Sequence, residues 1–179
     1  MKEIIKETIQ RVYKNGDNLF YIDSCGKSDI FTNELHEIFN KYSVNQDLAN
    51  YKNGGPSIEW SIDFTGYQIE RKTMLLETVL YISKLCPVFY INHTFSLPNL
   101  LEKQTTRLSG YGNLAYIQEQ YNLHLDLAAF LKSKEYIELD YEEFNEVVCD
   151  LRFPEEVTIF GKQVTVQYAL FFDLLELVK

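Results

Sequence analysis

Between residues 58 and 65 the chain alternates without a break: Ile58, Trp60, Ile62 and Phe64 on one parity, Glu59, Ser61, Asp63 and Thr65 on the other. Successive side chains of a strand point to opposite faces, so this pattern predicts one face that packs and one that meets water. Such a strand needs neighbours in a sheet and a layer to cover its apolar side. Phe89, Ile91, His93 and Phe95 repeat the alternation and predict a second strand.

The covering layer is readable as helices. Residues 2 to 14 place Ile5, Ile9, Val12 and Tyr13 on one stripe and stop at Asn15-Gly16, where glycine admits the left-handed conformation that ends helices. Phe31, Leu35, Ile38, Phe39 and Tyr42 fall on one helical face, with Asp29 or Thr32 as a cap. Glu70 to Leu85, rich in Leu, Met and Val, reads as a helix that ends before Pro87. A long helix capped by Asn113 is expected to carry Leu114, Ile117, Tyr121, Leu125, Ala128 and Leu131, and a C-terminal one Leu170, Phe171, Leu174, Leu175 and Val178. Leu19 to Asp23 reads as a short strand and Val157 to Val166 as a hairpin around Gly161-Lys162. Asn45 to Ser57 and residues 96 to 112 read as irregular. Strands and helices interspersed in this way predict an α+β fold, a small and mainly antiparallel sheet covered by several helices, over a single domain from 1 to 179.

Charge is distributed unevenly. The formal net charge is −9, but residues 135 to 156 hold nine acids against one Arg152, a local −8, while the rest of the chain balances 17 acids against 16 bases. Asp140 and Glu143 have the spacing of a capping box, and a helix over 141 to 150 would stack Glu142, Glu146 and Asp150 opposite Tyr141, Phe144, Val147 and Val148. Each like-charge pair on such a face costs about 0.2–0.5 kcal/mol. A segment like this is either a solvated face or a docking face for something basic, with Tyr136 and Tyr141 as the nearest aromatic anchors. The candidate partner-binding residues are therefore Glu135, Tyr136, Glu138, Asp140, Tyr141, Glu142, Glu143, Glu146 and Asp150.

Other chemistries lack their residues. Gly26-Lys27-Ser28 ends like a phosphate-binding loop, but Tyr21 stands where the first glycine is needed. His36-Glu37-Ile38-Phe39-Asn40 has Asn40 in place of the second histidine of a helical zinc motif, and His93 and His124 read as partly buried hydrogen-bonding groups. Cys25, Cys86 and Cys149 lie about 60 residues apart with no paired spacing, and read as buried reduced thiols. No nucleophile elbow or cysteine-protease context accompanies Ser24 or Cys25. The chain is read as no enzyme, with no cofactor and no metal. No basic run offers phosphate contacts, so no nucleic-acid partner is expected. The charged N-terminus and the lack of a long apolar run predict no membrane partner and a cytoplasmic protein.

In general make-up, an acidic, aromatic-rich domain without a catalytic kit, the chain resembles the immunity proteins of bacterial polymorphic-toxin and contact-dependent inhibition systems. The resemblance covers the whole chain and rests on no motif. It implies a cytoplasmic protein that binds a cognate toxin domain stoichiometrically, often over a cationic nuclease site. The rival is a non-catalytic adaptor or regulatory ligand-binding domain unrelated to toxins.

Overall fold

The computed structural model describes residues 1–27, 30–42, 45–49, 55–69, 72–99, 104–109, 113–157, 161–175 and 177, with the backbone alone at 45–49, 65–69, 72–73, 97–99 and 104–109. The fold is α+β. Five strands follow one another in an antiparallel order: β1 (Asn45–Ala49), β2 (Ser57–Ile69), β3 (Lys72–Ser83), β4 (Val88–Asn99) and β5 (Gln104–Ser109). A short β6 (Ile137–Glu138) adds in parallel to the start of β4. A separate pair is formed by β7 (Val147–Arg152) and β8 (Gln163–Thr165).

The alternation at 58–64 does what the pleat requires. Ile58, Trp60, Ile62 and Phe64 are all buried, opposite Ile82, Leu80, Thr78 and Leu76 of β3. They pack beneath α3 (Thr32–Asn40) and α4 (Gln118–Ser133), through Leu35, Ile38 and Phe39 of the first and Leu123, Leu127 and Leu131 of the second. The opposite face of β3 and β4 presents Tyr81 and Tyr90, which are not left to water. They meet α1 (Glu3–Ile9, continued as a π-helical turn Gln10–Lys14), α2 (Asn18–Cys25), α5 (Tyr141–Phe144), α6 (Val166–Phe171) and the β7–β8 pair. The Phe144 ring stacks on Tyr90 at 3.8 Å. Serine hydroxyls of the sheet anchor this layer, Ser57 donating to the Phe171 carbonyl at 2.7 Å and Ser83 to that of Leu170 at 3.1 Å. Buried Lys84 donates to the Cys25 carbonyl at 3.1 Å and so closes the end of α2.

Several expectations are corrected. Glu70 to Leu85 holds β3 instead of a helix: β3 is a central strand covered on both faces, so its apolar run shows no alternation and its Leu and Met content misleads. Leu19 to Asp23 lies in a helix, because the Asp17 carboxylate accepts from the Phe20 amide and caps α2. The segments read as irregular contain β1, the end of β4 and β5. Asn113 does not cap α4; Ile117 occupies that position, and of the expected stripe Ala128 and Leu131 are buried while Leu114, Tyr121 and Leu125 are exposed, Leu123 and Leu127 being buried instead. β8 pairs with β7, while residues 158–160 of the expected hairpin lie outside the described residues, as does Asp29. α6 stops at Phe171, where Phe172 turns extended; Leu174 and Leu175 follow it and Val178 lies outside the described residues. Among the described residues no helix is long and apolar enough to cross a membrane.

Candidate functional site

The acidic segment begins where α4 ends. The Glu135 amide donates to the Lys132 carbonyl and that of Tyr136 to Leu131, the two bonds of a Schellman closure. The position that favours glycine is held by Glu135, with φ of 65°. The chain then reverses along α4 as β6, held to β4 by Ile137 N–H to the Pro87 carbonyl and Leu139 N–H to that of Phe89, both 2.9 Å. Asp140 next accepts from the Glu143 amide at 2.7 Å while the Glu143 carboxylate accepts from the Asp140 amide at 3.2 Å, the capping box read from the sequence. α5 lasts one turn. The helix expected over 141–150 is corrected: Val147 starts β7, its β-branched side chain suiting a strand, and the stack of Glu142, Glu146 and Asp150 does not form.

Because α4 covers one face of the sheet and α5 the other, residues 135–146 wrap around the sheet edge. The candidate residues therefore do not share one face. Four of the nine acids are also neutralised within the chain. Glu138 accepts from Lys132 Nζ at 2.7 Å, Glu143 from Lys2 Nζ, Glu146 pairs with the N-terminal amine at 2.8 Å, and Asp150 with Lys14 Nζ at 3.4 Å. Each such surface pair contributes between zero and about 1 kcal/mol, enough to offset the repulsion inherent in the composition. Among the described residues Glu135, Glu142, Glu155 and Glu156 have no cationic partner. Asp140 is exposed and engaged with the amide it caps. Tyr136 and Tyr141 are half-buried, the former in edge contact with Phe31 at 5.6 Å.

Beneath this edge runs a polar chain that the sequence reading did not assemble. Thr78 on β3 meets His93 Nδ1 at 2.9 Å, His93 Nε2 meets His124 Nδ1 at 3.0 Å, and His124 Nε2 meets Glu138 Oε1 at 2.7 Å. One assignment of protons satisfies every member: the Thr78 hydroxyl donates to His93, His93 to His124, and His124 to the carboxylate. The alternation that buries Phe89 and Ile91 also directs His93 inward, and that signal was legible; the arrival of His124 from α4 and Glu138 from β6 was not. Burial, then the neighbouring His124, pushes the His93 pKa down to about 3. The hydrogen bond from His124, with Lys132 assisting, outweighs burial and holds Glu138 at about 2. The chain thus fixes α4 and β6 to the sheet with a carboxylate that stays charged.

The same edge carries a shallow groove of about 680 Å3, lined by Glu135, Glu138, Asp140 and Glu143 against Lys2 and Lys132, with Tyr136 and Asn113. Both lysines are already engaged by Glu143 and Glu138, so the open potential of the groove is negative.

Elsewhere, Cys25 is buried beside Tyr21 and Lys84, Cys86 is buried with its thiol pushed up to about 12, and Cys149 lies exposed on β7, which corrects the expectation that all three are buried. His36 packs edge-on against Trp60 at 4.9 Å. Among the described residues no group of three His, Cys, Asp or Glu side chains is arranged to hold a metal ion. Comparison of the chain with family models, curated proteins and solved structures finds no match.

Proposed function

We propose that the protein is a non-catalytic binding domain that recognises a basic protein through the sheet edge formed by residues 135–142, in the manner of an immunity protein that neutralises a cognate toxin domain. The observation that carries this reading is the groove itself. Four carboxylates line it, its two lysines are consumed internally, and Glu135 with Asp140 face outward, with Glu142 beyond the rim. An uncompensated negative edge steers a cationic surface into encounter, while the relay below keeps Glu138 ionised. General make-up, acidic and aromatic-rich, supports the immunity role.

The experiment is affinity capture from the native host followed by kinetics with the captured protein. Glu135→Lys with Glu142→Lys alters only carboxylates that have no internal partner. The double variant is expected to slow association at least about tenfold at low salt and to lose most of that effect at high salt. An acidic partner, or a basic one whose association is unchanged in the variant, would refute the proposal.

A further inference from the structure

Two of the three described non-glycine residues with positive φ, Phe31 at 60° and Glu135 at 65°, flank one aromatic contact, since the Phe31 ring meets that of Tyr136, the residue after Glu135. A bulky residue in that conformation is an outlier that the surroundings must hold in place, and such outliers cluster where a chain positions groups for a task. Phe31 occupies the cap position of α3, a place suited to Ser or Asp, and provides no capping bond. What its strained backbone does achieve is to set its ring edge-on to both Phe130, at 5.5 Å, and Tyr136, at 5.6 Å. All three rings are half-buried, on the margin of the core beneath α3 and α4.

A cation already sits over two of them. Lys134 Nζ lies 5.7 Å from the Phe31 centroid and 5.5 Å from that of Phe130, near the outer limit at which a ring face attracts an ammonium. Its side chain is exposed and, among the described residues, has no carboxylate partner. Glu135, the next residue, is likewise without a cation. A lysine and a glutamate side by side, neither neutralised, beside an aromatic cluster, form a loosely occupied site whose charge balance an incoming cation can exchange.

We infer that the Phe31–Phe130–Tyr136 cluster is a receptor for a cationic side chain, an arginine or lysine of the partner, with Glu135 as counter-charge and Lys134 as the resident it displaces. This rests on the reading above that the partner is basic, and it supplies the aromatic anchor of that contact: Tyr136, with Phe31 and Phe130 brought to it by the fold.

The test uses small cations and needs no partner. Tetramethylammonium and N-acetylarginine amide are titrated into the full chain, with sodium at equal ionic strength as control, and ring-proton shifts of the three aromatics are followed by NMR. Saturating shifts are expected with the organic cations and not with sodium. Lys134→Gln removes the resident and is expected to tighten binding about two- to fivefold, the range of one exposed cation–π contact. Lys162→Gln, which removes the same charge in the other layer, is expected to leave it unchanged, and Phe130→Leu to weaken it. Shifts that track total salt, or equal behaviour of Lys134→Gln and Lys162→Gln, would overturn the inference. A partner that proves acidic sinks the function proposed above but leaves a saturating tetramethylammonium site standing, so the two fail separately.

Discussion

Acidification should destabilise this protein through His93 well before its carboxylates titrate. His93 is 1% exposed, and both ring nitrogens are engaged, by Thr78 at 2.9 Å and His124 at 3.0 Å. Burial and the adjacent histidine hold its pKa at about 3 in the fold, against 6.5 for a free imidazole. The folded pKa lies below the unfolded one, so the unfolded chain takes up a proton as pH falls through 6.5 while the native state refuses it until about 3. The stability contributed by keeping His93 neutral is complete above 6.5 and drains between 6.5 and 3. At 1.36 kcal/mol per unit, the interval from 6.5 to 5 costs about 2 kcal/mol. Glu138, held at about 2, works in a separate window: its contribution is complete above 4.5 and lost between 4.5 and 2. Urea unfolding at pH 7 and pH 5, read by fluorescence of the buried Trp60, measures the first window alone. His93→Gln is expected to be less stable at pH 7 but to lose about 2 kcal/mol less than the wild type on going to pH 5. His36 is present in both proteins, so the difference reads His93 together with the His124 ring to which it is hydrogen-bonded. Equal losses in the two proteins would refute the argument that burial keeps His93 neutral.

Three further outcomes follow from local geometry. Glu135→Gly is expected to raise stability by about 0.5–1 kcal/mol in thermal melts, since relief of the left-handed strain outweighs the added freedom of the unfolded chain; a loss of stability would mean that the Glu135 side chain makes a contact worth more than the strain. Asp140→Ala removes one half of the capping box and is expected to cost about 1 kcal/mol, whereas Asp140→Asn, which keeps an acceptor for the Glu143 amide, should recover most of it. Phe144→Ala deletes the ring stacked on Tyr90 and should cost about 3–5 kcal/mol in urea unfolding; a cost below 1 kcal/mol would show that α5 is not part of the core.

The strand at 58–64 was legible because one parity is buried and the other reaches water, and period-two burial writes itself directly into sequence; 89–95 was legible by its alternating composition, although Tyr90 and Thr94 on its second face are buried as well. β3 was not, for the same physical reason. Tyr81 faces one layer and Leu80 the other, so both parities are apolar and the run resembles a helix by composition. α4 was located and Ala128 and Leu131 of its expected stripe are buried, but Leu114, Tyr121 and Leu125 are exposed where Leu123 and Leu127 are buried, and only the sheet beneath decides between them. α2 hid behind an ordinary Asp17, whose role as a cap is clear only once the Phe20 amide is seen to need an acceptor.

The acidic segment shows why a charge run cannot be converted into a face without the fold. Its capping box was readable because the bond spans three residues; its neutralisation was not, because the cations come from residues 1, 2, 14 and 132. Those pairings divide the nine acids by function. Glu143 and Glu146 tie the N-terminal helix to the layer that holds α5, and Asp150 adds a bond to Lys14 at the end of its π-helical turn. Glu138 is drawn inward to terminate the histidine chain. Charge reversal at Glu143 or Glu146 therefore attacks the fold before it attacks any partner, since each substitution sets two cations against one another where an ion pair stood. Glu135 and Glu142 have no such internal duty, and reversing them changes the field at the groove while leaving every internal pair in place. A loss of binding in that variant with an unchanged melting temperature is thus interpretable as recognition, and the same loss in Glu143→Lys is not.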